Sequence, residues 1–335
     1  MIPDRTLDCG SRTTSICFGK YQLLMSITVS LASPEEQSEA SALIFAEATE
    51  TERETQIQEF IKTISSGQKG KNQLLLARED GQLLGVGVLI FSDSATACFW
   101  PPFTERRDCA DAILQEMAVR IDRSGISIGQ ALLDPAQLNL RRLLTRNGFP
   151  HLTNLQFMKH PLTSLPQTSS LQEKQIEPVH FDPLHNRDRF LRMLERTQQE
   201  SLDCPVLNQV RTADESLESH RSSGDSDQEH WYLFQRAGED LGVILLAEHQ
   251  SDQNWEVVYM GVAPEQRGSG LGSDLIRFGL ERARAHNQSA VVLAVDHKNS
   301  YAIKIYEQLG FVRQNTLSVH ARLRSQFAEK KPEIN

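Results

Sequence analysis

Residues 254–286 read NWEVVYMGVAPEQRGSGLGSDLIRFGLERARAH, and the fold turns on how this stretch is read. Trp255 to Val262 is rich in Val, Tyr and Trp, side chains that suit a pleated, half-buried strand. From about Ser269 onward Leu271, Leu275, Ile276 and Leu280 recur at the spacing of one helix face. Between strand and helix lies Arg267-Gly268-Ser269-Gly270-Leu271-Gly272, followed by Ser273. A helix N-terminus carries unpaired N–H groups and a partial positive charge, which suit a pyrophosphate. Glycines let the backbone approach such a group, and Arg267 can add charge-assisted hydrogen bonds. The spacing is not that of GxGxxG, and no GxxxxGK followed by Ser or Thr occurs. On the loop alone, a tight turn that binds nothing stays open.

Working outward, the chain repeats itself. LLLAREDGQLLGVGVLI (74–90) and WYLFQRAGEDLGVILLA (231–247) are both strand, glycine turn, strand, with Leu-Gly-Val opening the second strand. ALLDPAQLNLRRLLTRNGF (131–149) and LAVDHKNSYAIKIYEQLGF (293–311) each give a strand ending at an Asp, an amphipathic helix, and Gly-Phe. That glycine fits the end of a helix, where positive φ is cheap without a Cβ. The matched pairs predict an α/β fold with a mixed sheet, built from two tandem copies of one domain. The expected organisation is an extension without order over 1–25, a first domain over 26–160, a linker over 161–178 (PLTSLPQTSSLQEKQIEP), a second domain over 179–325 and a frayed tail over 326–335.

Arg-x-x-Gly-x-Gly after a strand ending Gly-Val-Ala-Pro resembles motif A of the GNAT (Gcn5-related N-acetyltransferase) superfamily. Asn299, Ala302 and Tyr306, followed by Glu-Gln-Leu-Gly-Phe (307–311), resemble its motif B. The two motifs stand in the family's order, and the resemblance covers about 176–323. Within the superfamily, the tandem arrangement and strand 256–262 look most like the mycothiol synthases. The resemblance implies acetyl-CoA as co-substrate, with Met260, Gly261, Val262, Arg267, Gly268, Ser269, Gly270, Leu271, Gly272, Ser273, Asn299 and Ala302 holding it. It also implies Glu256 as the base that deprotonates an amine and Tyr306 as the proton donor to the leaving thiolate. Glu256 is expected to be desolvated beside Trp255, and Gly261 to permit a local bulge. The plainer alternatives are an exposed strand glutamate, a core tyrosine and, for Asn299, a helix cap. Cys204 lines an acceptor pocket or is simply a small buried apolar residue.

The first copy has lost the loop. FWPPFTERRDCADAIL (99–114) carries no glycine, and bulky or acidic residues including Glu105 and Asp108 stand at the phosphate position. Leu144 matches Tyr306. The expectation is a degenerate copy that neither binds acetyl-CoA nor catalyses, with Arg106 and Arg107 leaving an anion some attraction.

Bulk properties narrow the function classes. With 39% hydrophobic and 24% charged residues, the chain is long enough for two cores, and its net charge of −9 repels phosphate backbones, so nucleic acid is not an expected partner. No apolar run reaches membrane length, and the five cysteines form no CxxC pair, which suits reduced thiols in the cytoplasm. The ten histidines show no metal-ligand spacing, so no metal is expected. The leading expectation is an enzyme acetylating a primary amine of a small metabolite. A protein N-terminus or lysine as acceptor, and a non-catalytic acyl-CoA-binding module, are the alternatives. Oligomeric state is not readable.

Overall fold

The computed structural model describes residues 27–66, 72–91, 95–164, 166–224 and 228–324. The extension expected over 1–25 and the tail over 326–335 lie outside them. The first copy runs β1 (Thr28–Leu31), α1 (Gln37–Ile44), α2 (Glu50–Ser66), β2 (Gln73–Glu79), β3 (Gln82–Phe91), β4 (Thr96–Phe103), α3 (Arg107–Ser124), β5 (Ile128–Leu133), α4 (Leu138–Arg146) and β6 (His151–His160). The second repeats that order: β7 (Glu177–His180), α5 (Arg187–Gln198), α6 (Ala213–Arg221), β8 (Trp231–Arg236), β9 (Glu239–His249), β10 (Asn254–Val262), α7 (Leu271–Ala285), β11 (Ala290–Asp296), α8 (Ser300–Gln308) and β12 (Val312–Leu323).

Local chemistry recurs with the order. The two hairpins turn on Asp80-Gly81 and Ala237-Gly238, with φ of 50° and 81° in one and 50° and 84° in the other. Both central residues of such a tight hairpin need positive φ. The helices preceding β6 and β12 are followed by Gly148 and Gly310 at φ 85° and 94°, as the sequence predicts. Phe149 N–H then donates to Leu144 C=O and Phe311 N–H to Tyr306 C=O, each at 3.0 Å, which places Leu144 and Tyr306 at equivalent positions.

All twelve strands form one sheet, in the order β1-β2-β3-β4-β5-β12-β6-β11-β10-β9-β8-β7. The copies therefore exchange their last strands: β12 pairs with β5 of the first copy, and β6 with β11 of the second. β6 and β12 pair antiparallel at the centre. Strand alternation sends one set of side chains to α1, α2, α5 and α6, and the other to α3, α4, α7 and α8. In β3, Val86 and Val88 pack towards α1 and α2, while Leu89 packs towards α3. In β10, Trp255 and Val257 join the core beneath α7 and α8, and Tyr259 faces α5 and α6.

The expected linker is not a free tether. Leu162, Leu171 and Ile176 are buried in the α7–α8 core. Ser169 N–H donates to Glu281 at 2.8 Å, and Ser170 and Lys174 bond Asp274, so this segment straps the start of α7. No helix among the described residues is long and apolar enough to cross a membrane.

Candidate functional site

The site begins where two strands part. β10 pairs in parallel with β11 only from Asn254↔Ala290 to Val257↔Leu293. Beyond Val257 the register of β10 against β9 shifts, and Tyr259 to Val262 continue against β9 alone, while Ala294 to Asp296 continue against β6. The result is a V-shaped opening with one backbone edge of β10 unpaired towards it. Such an edge can pair with the amides of an extended ligand arm and donate to a carbonyl oxygen. The bulge that makes the opening is at Val258, not at Gly261. Gly261 answers a different need: a Cβ there would lie 2.6 Å from Thr197 Cβ, so its absence lets α5 pack on the strand.

At the mouth of the V, Gly268 and Gly270 adopt φ of 78° and 82°. Gly270 is the N-cap of α7 and offers no side chain to the helix N-terminus. Ser269 Oγ donates back to Gln266 C=O at 2.7 Å. A Cβ on Gly272 would touch Met260, Val262 and Ile305 of α8 at 3.8–3.9 Å, so loop, strand and helix meet there. Leu271 is buried. Arg267, expected as a phosphate ligand, turns the other way: its guanidinium donates to the C=O of Thr197 at 3.1 Å and of Gln199 at 2.6 Å. It closes the carbonyl end of α5, a good place for a cation.

Asn299 caps α8, its Oδ1 accepting from Ala302 N–H at 3.2 Å. Tyr306 is buried on α8. Burial, with a contribution from the Asp203 charge, pushes its phenol above the ordinary range, so it keeps its proton at neutral pH. Glu256 is not desolvated against Trp255. Adjacent strand residues face opposite sides, so Trp255 is fully buried while the Glu256 side chain is 31% exposed on the α5–α6 side. There its carboxylate meets His249 Nε2 at 2.9 Å.

The α5–α6 side also collects further polar and titratable residues, Cys204 among them. Tyr259 shares a 2.8 Å hydrogen bond with Thr197 Oγ1, and burial pushes its phenol up to about 12. The His220 ring lies 5.2 Å from that of Tyr259, and burial, with the Arg211 charge, lowers it to about 4. Asp203 reaches solvent yet is ringed by protein, and that burial raises its carboxyl. Its Oδ1 accepts from Asp296 N–H at 2.9 Å. Cys204 Sγ donates to Asp296 Oδ2 at 3.5 Å, and burial pushes this thiol far above its ordinary range. Arg211 reaches across to Thr96 of the first copy. Between the two helix pairs the sheet is partly uncovered: Trp100 is 36% and Leu132 38% exposed, and Leu155, Phe157 and Leu317 are half-buried.

The first copy shows the same V and a filled mouth. β4 pairs with β5 only from Thr96 to Cys98. Trp100 opposes Val88 as Tyr259 opposes Leu245, and Pro101-Pro102 then remove two N–H donors from the strand. Asp108 occupies the start of α3, its carboxylate accepting from Cys109 N–H at 3.0 Å. Arg106 forms ion pairs with Asp108 and Glu79, both at 2.6 Å, so it is not free for an outside anion.

The chain is similar to known proteins in sequence and in fold. Residues 194–311 match the model of the acetyltransferase (GNAT) family. A mycothiol acetyltransferase of Streptomyces coelicolor is 24% identical over 294 residues, 84% of this chain and 90% of that protein. One of Thermobispora bispora is 31% identical over 177 residues, 51% of this chain and 58% of that protein. Among solved structures, a GCN5-related N-acetyltransferase from Sphaerobacter thermophilus superposes with a TM-score of 0.57 at 17% identity, covering 89% of this chain and 95% of that one. A tandem GNAT protein from the clavulanic acid biosynthesis pathway gives 0.51 at 13% identity, covering 88% and 98%. These last two share the fold.

Proposed function

We propose, for a chain that belongs to the acetyltransferase (GNAT) family, that its second copy moves the acetyl group of acetyl-CoA onto the primary amine of a small metabolite. One observation carries this reading: the second copy combines an open strand edge with a bare glycine N-cap, and the first copy keeps the opening but has Arg106 as the N-cap and the Asp108 carboxylate on the first-turn N–H of Cys109. The relatives named mycothiol acetyltransferase favour a small-molecule acceptor over a protein tail. The uncovered floor between the helix pairs, with Tyr259, His220 and Asp203 at its edge, is the acceptor's approach.

An amine must lose a proton before it attacks a thioester. Glu256, on the acceptor's side and steadied by His249, takes that proton. As nitrogen bonds to the carbonyl carbon, the oxyanion is met by backbone N–H of the Met260–Val262 edge. When the carbon–sulfur bond breaks, Tyr306 meets the departing thiolate with the proton its burial retains. The α7 N-terminus and its glycines hold the pyrophosphate. The acidic chain and its three described free cysteines suit a cytoplasmic protein without nucleic-acid partners.

Calorimetric titration with acetyl-CoA tests this. One site per chain is expected, abolished by Gly270→Glu. Two sites would overturn the assignment of the first copy, and no binding would overturn the enzyme. With an amine acceptor and thiol release as readout, Tyr306→Phe and Glu256→Gln are each expected to lower kcat roughly 100-fold. The affinity for acetyl-CoA should be unchanged.

A further inference from the structure

The pyrophosphate loop has the glycines of its family but not the cation: Arg267 is bound to the carbonyl end of α5. The structure supplies a cation from elsewhere. A Cβ placed on Gly270 would lie 3.7 Å from Lys174 Nζ, and among the described residues, chain neighbours aside, no other atom comes within 4 Å of that Cβ position. Lys174 belongs to the strap between the copies. Its place is set by Asp274, in the first turns of α7, whose side chain is 1% exposed and whose Oδ2 accepts from Lys174 Nζ at 2.6 Å. Asp274 is further held by Ser170, whose N–H and Oγ donate at 3.2 and 2.9 Å, and by Arg277 at 3.1 Å.

This arrangement has an electrostatic sense. A lone carboxylate beside a phosphate site would repel the ligand. Here two cations face one carboxylate, so the mouth of the helix stays positive. An ammonium has three donors; Asp274 takes one and positions the group, and the others remain for a ligand. The Lys174 side chain is 37% exposed, so its head reaches solvent at the loop.

We propose that Lys174 is a pyrophosphate ligand of the acyl-CoA site, so that the segment joining the copies supplies the charge that Arg267 does not. This rests on the acetyl-CoA reading above. The test compares wild type, Lys174→Met and Lys174→Arg in binding CoA and dephospho-CoA, which lacks the 3′-phosphate but keeps the pyrophosphate. Lys174→Met should weaken both about tenfold, and Lys174→Arg should recover most of the loss. Acetyl-pantetheine, a thioester donor without phosphates, controls for the fold: wild type and Lys174→Met should use it equally. Unchanged CoA affinity in Lys174→Met, a loss confined to CoA, or an equal loss with acetyl-pantetheine would each overturn the assignment. Wild-type protein that does not bind CoA would sink the underlying reading as well, and that control distinguishes the two failures.

Discussion

Buried titratable groups mark the second copy. Tyr259 and Tyr306 lie on different elements, yet the charge of Asp203 adds to the burial that raises both phenols. His230 shows the reverse shift. It is buried and stacks on Trp255 at 4.1 Å, with His286 at 4.8 Å. Burial first, then the charges of His286 and Arg282, lower it from 6.5 to about 4. A depressed folded value means that the unfolded chain binds the proton more readily. Stability from a neutral His230 is therefore complete above pH 6.5 and lost as pH falls towards 4, an effect on the order of 2–3 kcal/mol. Thermal melts of His230→Phe, which keeps the stacking, should fall less between pH 6.5 and 4 than those of wild type. Parallel slopes would refute this. In the sequence, Glu256 and Tyr306 stand out because they sit in motifs. His220 and Lys174 do not, because the chain's return, rather than any local spacing, brings them to the site.

Elements carry the opening of the site. β10 is legible as a strand from its Val, Tyr and Trp content, and α7 from its apolar spacing. The glycine turn between them follows from the residues alone. The position of the bulge does not, because Val258 has no mark of a bulge residue; the shift shows only in the pairing with β9. The role of Gly261 was likewise hidden, since it depends on Thr197 more than sixty positions earlier. Gly261→Ala would force Cβ to 2.6 Å from Thr197 Cβ and Oγ1, closer than such atoms approach, so strand or helix must shift. A destabilisation of about 1–3 kcal/mol is expected, as for other overpacked sites. Denaturant midpoints would measure it, and an unchanged midpoint would show that α5 moves freely. Because Tyr259 also bonds Thr197, weaker acceptor turnover should accompany the loss.

The whole molecule is one sheet shared by two copies, and that changes what a half can do. β11 has β6 as its outer neighbour, and β12 lies between β5 and β6. Residues 166–324 expressed alone would leave the β11 edge bare and β12 with nothing to pair against. Exposed edges recruit other chains. Sedimentation should therefore find this piece as a dimer or larger species, and a monomer with wild-type melting temperature would contradict the shared sheet. By itself the sequence determined the repeat, the hairpins, the helix-ending glycines, the glycine turn between β10 and α7 and its loss in the first copy. Each of these follows from side-chain type and spacing within about twenty residues. Tertiary structure alone decided the exchange of β6 and β12, the strap across α7, the turning of Arg267 and the gathering of Asp203, His220 and Tyr259. A strand presents the same backbone donors and acceptors to any neighbour, so the partner it takes from a distant part of the chain is settled only by how the cores on both faces pack together.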